Sequence, residues 1–278
     1  MSGDAFRSVV SALLFVMLAT PVVAQQSVIS NVELCNGKAP ATPETQIRGC
    51  SALIKSDADN AKVLTIAYNN RGNAYTRLGQ YDLAIKDYDS SINLDSHYAK
   101  PLNNRGVAYK KKGDYDHALQ DFDAAIKIDP DYADAFANRA VLFQEKADYP
   151  KALKDFDEVV RLAPTLRSGW SERCWTRALS DDLNGALADC NKAIQLDPNV
   201  ATTFDSRGLT YLKMAQWDSA IADFSAALRL NPKLATALYG RGLAKLKKGE
   251  TASGNSDLAA AKTSQQDIAA EYARYGVH

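Results

Sequence analysis

Residues 99–132 read AKPLNNRGVAYKKKGDYDHALQDFDAAIKIDPDY, and the same sentence is written six times along the chain. Prolines stand at Pro130, Pro164, Pro198 and Pro232, each 34 residues after the last. A small residue recurs on that beat at Gly72, Gly106, Ala140, Cys174, Gly208 and Gly242. A second small column runs Ala84, Ala118, Ala152, Ala186, Ala220 and Gly254. A largely aromatic column runs Tyr88, Phe122, Phe156, Cys190, Phe224 and Leu258. A fixed period of this length is the signature of a stacked repeat architecture, because one supersecondary unit cannot bury its own apolar face and its neighbours must close the core.

Within residues 99–132 the signals are helix, turn, helix. Leu102, Val107, Ala108 and Tyr109 fall at helical spacing before Gly113 ends the run. Tyr115 to Ile128 then carries Ala118, Leu119, Phe122, Ala125 and Ile126 on one face. Asp129-Pro130 stops this second helix, since proline cannot continue a helix and pushes the residue before it towards extended geometry. Two antiparallel helices approach closely only where neither carries bulk, which accounts for the small columns; the aromatic column fills the space where the helices diverge.

Asn104-Arg105-Gly106-Val107-Ala108-Tyr109, Gly113-Asp114-Tyr115, Ala118, Phe122, Ala125 and Asp129-Pro130 together resemble the signature of the tetratricopeptide repeat family. The resemblance spans six repeats: 65–98, 99–132, 133–166, 167–200, 201–234 and 235–268. It implies an all-α fold, a right-handed α-solenoid of helix-turn-helix repeats whose first helices line a concave groove. Residues 25–64, with Ile47, Cys50, Leu53 and Ile54 on one helix face, are expected to form a degenerate half-repeat or cap. The last repeat has Gln266 in place of proline and a second helix diluted by Ser253-Gly254-Asn255; residues 269–278 are expected to hold a C-terminal capping helix and tail.

Two charged columns share the period. Arg71, Arg105, Arg139, Arg173, Arg207 and Arg241 lie on first helices, and Asp87, Asp121, Asp155, Asp189, Asp223 and Asp257 on second helices. They are expected to form structural ion pairs that set helix register, within a repeat or between neighbours; a ligand-contacting ladder is the alternative.

Residues 1–24 have the layout of a secretory signal peptide: Arg7, an apolar run from Val9 to Ala19, and small residues at Val22-Val23-Ala24, with cleavage expected after Ala24. An uncleaved anchor is the alternative, disfavoured by Pro21 and the shortness of the run. Export gives the four cysteines meaning. Cys174 occupies the small column and Cys190 the facing aromatic column, so a disulfide between them is plausible, and Cys35 with Cys50 has nearly the same separation. Buried free thiols are the alternative for either pair. The repeat holding Cys174 fits the pattern least well, with Arg177 in an aromatic position and Asp181 in place of Gly113.

Catalysis is not expected. His97, His117 and His278 fall in different parts of the register, no glycine loop cradles phosphate, and neither a cofactor nor a metal site is called for. Lysine plus arginine equals aspartate plus glutamate at 33 each, so no general attraction to nucleic acid arises.

What the family resemblance implies about a site is a peptide-binding groove on the first helices. The inward positions are polar and basic at first, at Asn69, Asn73, Thr76, Arg77, Lys100, Asn103, Lys110 and Lys111. They turn mildly acidic at Asp134, Gln144 and Glu145, then apolar at Trp175, Leu179, Leu209, Leu212, Tyr239, Leu243 and Leu246. Some relatives grip a carboxylate with a five-residue clamp of asparagines and cations; Asn73 and Asn104 fit it, whereas Asn69, Asp134 and Asn138 do not. The expected function is thus a non-catalytic scaffold that binds a protein or peptide segment, exported to a bacterial periplasm. A self-associating assembly factor and an accessory subunit of an envelope enzyme are the alternatives. The C-terminal extension from Ala269 to Tyr275 could itself cover the apolar strip.

Overall fold

In the computed structural model of the chain, the described residues are 31–37, 42–56 and 59–277. The expected signal segment, its cleavage site and His278 lie outside them. Every regular element among the described residues is a helix, and they fall into two compact units, one ending at Asp95 and the other beginning at Ser96.

The first unit holds helical residues 31–35 (α1), α2 (Pro43–Ser56), α3 (Ala61–Arg77) and α4 (Tyr81–Leu94). Asn60 starts α3 earlier than the repeat boundary at 65, because its side chain accepts the Val63 backbone N–H. Cys35, Cys50, Leu53 and Ala67 form a small core with Ile54 against it. Cys35 and Cys50 are joined by a disulfide with their Cα atoms 4.6 Å apart. The Gln46 Nε2 amide donates to the Cys35 carbonyl at 2.9 Å, so the bridge and a buried hydrogen bond hold α1 on α2 together.

The second unit is five helical hairpins and a short last helix. The hairpins are α5 (Ala99–Lys111) with α6 (Tyr115–Ile128), α7 (Ala133–Glu145) with α8 (Tyr149–Leu162), and α9 (Arg167–Leu179) with α10 (Leu183–Leu196). Then follow α11 (Ala201–Lys213) with α12 (Trp217–Leu230), α13 (Ala235–Lys247) with α14 (Thr251–Ser264), and finally α15 (Ile268–Arg274). Each helix packs on the next in chain order, and α9, α11 and α13 also touch one another as successive first helices. First helices therefore form the tighter face of this unit.

The column logic holds in space. A Cβ on Gly106 would stand 2.7 Å from the Phe122 ring, so only glycine admits that aromatic. In the fourth repeat the corresponding small and aromatic positions are Cys174 and Cys190, and a disulfide joins them with Cα atoms 5.3 Å apart. The covalent bridge there occupies the place of a glycine–aromatic contact. Helix α14 runs unbroken through Ser253-Gly254-Asn255, because Gly254 lets α13 approach: a Cβ there would meet the Gly242 carbonyl oxygen at 3.0 Å.

Each hairpin turns through one residue of left-handed backbone. Glycine supplies it at Gly79, Gly113 and Gly249, but Ala147, Asp181 and Ala215 adopt it with φ of 57°, 65° and 58°. A side chain in that region costs about 1–2 kcal/mol, partly offset because glycine loses more freedom on folding. The double variant Ala147→Gly, Ala215→Gly is accordingly expected to gain about 1 kcal/mol in chemical denaturation. Gly113→Ala should lose a similar amount.

Candidate functional site

Six arginines each make a two-pronged contact with the aspartate sixteen residues on, in the same hairpin. Arg139 is typical: Nε donates to Asp155 Oδ2 at 2.8 Å and Nη2 to Oδ1 at 2.7 Å. The remaining nitrogen reaches back to the preceding hairpin. Arg139 Nη1 donates to Asp123, Arg173 Nη1 to Asp157, Arg207 Nη1 to Asn191 and Arg241 Nη1 to Ser225. In the first unit Arg71 Nη1 donates to Ser51 at 2.9 Å. Pairing is thus within the repeat, and the third bond staples neighbours. The sequence carried this signal as a further column, Asp123, Asp157, Asn191 and Ser225, which the reading of charges alone overlooked. Arginine is required because lysine has no planar fork to serve three acceptors.

The expected groove residues divide sharply. Lys100 and Lys111 are exposed, and Asn73 is half-buried, accepting a hydrogen bond from the Tyr88 hydroxyl at 2.8 Å. Four others are largely buried. Asn69 and Asn103 are buried, with their amides donating to the neighbouring Asn70 and Asn104 side chains. Leu209 and Leu212 are only 1% and 5% exposed and belong to the core of the last repeats, although Leu212 also reaches the wall of a cleft beside Leu243. Residues on the rim of a first helix face the adjacent first helix rather than solvent, which is why helical position alone misplaced them.

Part of the apolar strip is covered as well. Tyr272 of α15 is buried, its hydroxyl donates to the Thr236 carbonyl at 2.7 Å, and its ring lies 4.8 Å from that of Tyr239. Tyr275 meets Trp175 edge to face at 4.9 Å, and Val277 packs on the same cluster. Trp175 and Tyr239 are therefore only half-buried walls beneath the chain's own C-terminal segment.

A cleft of about 300 Å³ stays open between α11, α13 and the C-terminal segment, lined by Leu212, Lys213, Trp217, Leu243 and Val277, and two more lie on α7, α9 and α11. One cleft of about 220 Å³ is lined by Ser171, Glu172, Trp175, Thr202, Asp205 and Ser206. A second, of about 170 Å³, runs over Ala137, Asn138, Val141, Phe156, Ser168 and Glu172. Glu172 belongs to both and joins them into one track. Its carboxyl is raised by burial, against a hydrogen bond from Gln144 and the field of Arg167. His97 and His117 line neither cleft; the His117 ring stacks on Tyr109 and bonds Asp114.

Asp205 is the unusual group. It is 8% exposed, Oδ2 accepts from the Thr236 hydroxyl at 2.5 Å, and no protein donor reaches Oδ1. Burial pushes its carboxyl up to about 7, and the charge of Glu271 on α15 adds to the effect. The folded state therefore holds a proton that the unfolded chain, near 3.9, has already lost. Stability should fall as pH rises from about 4 to about 7, by at most about 1.4 kcal/mol per unit, and then level off. Thermal melts across that range should show the slope, and Asp205→Asn should flatten it.

The tetratricopeptide repeat family model matches residues 99–132, and a second, described as TPR repeat, matches 72–113 and 216–249. No curated protein matches the chain. Solved structures do. YrrB, described as a TPR protein with an unusual peptide-binding site, is 22% identical over 69% of this chain and 97% of its own, with a TM-score of 0.57. A tetratricopeptide repeat protein from Parabacteroides merdae is 19% identical over 90% of this chain and 99% of its own, with a TM-score of 0.63. PilF of Pseudomonas aeruginosa is 15% identical over 76% of this chain and 99% of its own, with a TM-score of 0.65. At these identities the likeness is one of fold.

Proposed function

The chain is a tetratricopeptide repeat protein, and from that premise we propose that it is a non-catalytic, exported scaffold that docks a polypeptide segment along the track on α7, α9 and α11. The observation that carries the reading is the pair of clefts meeting at Glu172, because they run along the first helices of successive repeats. Hydroxyls and amides there can bond an extended backbone, and Trp175 supplies an aromatic wall. The neighbour YrrB, whose description names a peptide-binding site, supports the class of ligand. Lys100 and Lys111 add exposed positive charge on α5, suited to acidic side chains of the same partner. Asn73 remains a polar contact on the first unit's own wall.

Export rests on the leader-like residues 1–24 and on two disulfides, which persist in oxidising compartments. A bacterial periplasm fits both. The partition 25–64, 65–268 and 269–278 is retained as the working domain plan, with residues 25–64 as a disulfide-stapled cap.

Thr202 is exposed on the lip of the larger cleft, so Thr202→Trp fills the track without entering the core. Chemical cross-linking in periplasmic extract should capture partners with the wild-type chain and lose them with Thr202→Trp, at an unchanged melting temperature. An identical set of captured proteins from both chains would remove docking from this track.

A further inference from the structure

We propose that the cleft between α9 and α11 takes the cationic side chain of a bound polypeptide, arginine above all, with Asp205 and Glu172 as its counter-charges and Trp175 as its wall. This rests on the scaffold reading above and names the chemistry of the partner.

The repeat itself shows what the fold needs at these positions. The sites equivalent to Asp205 are Asn69, Asn103, Ala137, Ser171 and Tyr239, and none carries a charge. Those equivalent to Glu172 are Asn70, Asn104, Asn138, Ser206 and Gly240, again all neutral. Hairpin stacking therefore proceeds without a carboxylate in either column, and the two carboxylates coincide in one cleft. Their cost is visible in the structure. A buried acceptor left without a donor costs about 1–3 kcal/mol, and Asp205 Oδ1 is one. Among the described residues Asp205 has no arginine or lysine partner, and its one side-chain bond comes from Thr236. Facing it from α15 are Glu271, whose charge adds to the negative field, and the phenols of Tyr272 and Tyr275, which burial keeps neutral. Arg167 and Lys110 act on Glu172 through their charge, but Arg167 gives its Nη1 hydrogen bond to Thr203 and Lys110 pairs with Glu145.

The missing complement is a group that only donates and carries positive charge. Guanidinium fits best, since its fork can serve a carboxylate oxygen and the cleft hydroxyls together. Its plane can also lie on the Trp175 indole. Ser171, Thr202 and Ser206 present hydroxyl oxygens along the same walls. A lysine ammonium would satisfy the charge but not the fork.

The test uses the purified full-length chain, at about pH 8 where Asp205 has lost its proton, and small probes read by nuclear magnetic resonance at the Trp175 indole N–H. N-acetyl-arginine amide should shift that resonance saturably, at least about tenfold more tightly than the neutral isostere N-acetyl-citrulline amide (about 1.4 kcal/mol). The lysine amide should lie between them. Asp205→Asn and, separately, Glu172→Gln should each weaken arginine binding to the citrulline level while the melting curve shows a folded chain. An arginine-centred tripeptide should bind more tightly than guanidinium ion alone. Equal affinity for arginine and citrulline, wild-type affinity in both variants, or a tripeptide no better than the bare ion would each overturn the proposal. Because no partner protein takes part, these failures stay distinct from a failure of the capture experiment.

Discussion

Arg139→Met is expected to destabilise the chain by about 3–5 kcal/mol, the range found when one member of a buried ion pair is removed. Asp155 is 4% exposed at its side chain, and Arg139 makes both of its charge-assisted bonds. Without the guanidinium, that carboxylate is stranded between α7 and α8. Asp155→Leu should cost less, because Arg139 keeps Asp123 and is 19% exposed. The double variant should recover more than about 1 kcal/mol of the summed losses in a double-mutant cycle. Asp123 is 54% exposed, so the cycle of Arg139 with Asp123 should yield under about 1 kcal/mol. A strong Arg139–Asp123 coupling with a weak Arg139–Asp155 one would reverse the hierarchy. Asp121, the carboxylate in the aspartate column one repeat earlier, should show none, since it already serves Arg105.

Reduction of both disulfides is expected to remove about 3 kcal/mol for each loop closed, on the chain-entropy estimate. The loops span separations of 15 and 16 residues, so the two contributions should be similar in size. Denaturation with and without reductant measures the sum, and single pairs can be removed by serine substitution. The fourth repeat offers a sharper version. Cys174 and Cys190 stand in the columns that hold Gly106 and Phe122, where the ring sits tightly over the glycine. Cys174→Gly with Cys190→Phe should therefore restore the ordinary hairpin packing. Burial of a phenylalanine contributes about 1.5–3 kcal/mol, so this variant should melt well above Cys174→Ser, Cys190→Ser and lose only the Cys35–Cys50 contribution on reduction. Should it melt no higher than the serine pair, the bridge is compensating for something else in that repeat, with Arg177 on Asp189 the first place to look.

The sequence-derived groove illustrates the limit of reasoning by register. A tandem period states which residues are equivalent, and equivalence survived in space for the arginine forks and for the glycines under Tyr88, Phe122 and Phe224. It does not state which equivalent positions stay wet. Trp175 and Tyr239 occupy inward-facing columns, yet a segment outside the repeat lies against them.

From the residues alone came the helical hairpin, its period, the caps that break it, the arginine and aspartate columns and the facing positions of Cys174 and Cys190. All of these depend on contacts that recur at fixed sequence separations, and periodicity records such contacts directly. Tertiary structure alone decided that Leu209 and Leu212 are mostly buried in the core, and that α15 lies over the last first helices. It also left Asp205 buried with one oxygen unmatched. These features arise where non-repeating parts of the chain meet the repeat, or where one copy departs from the rest. The free energy of such a contact depends on which surface arrives in three dimensions, and no spacing along the chain encodes that.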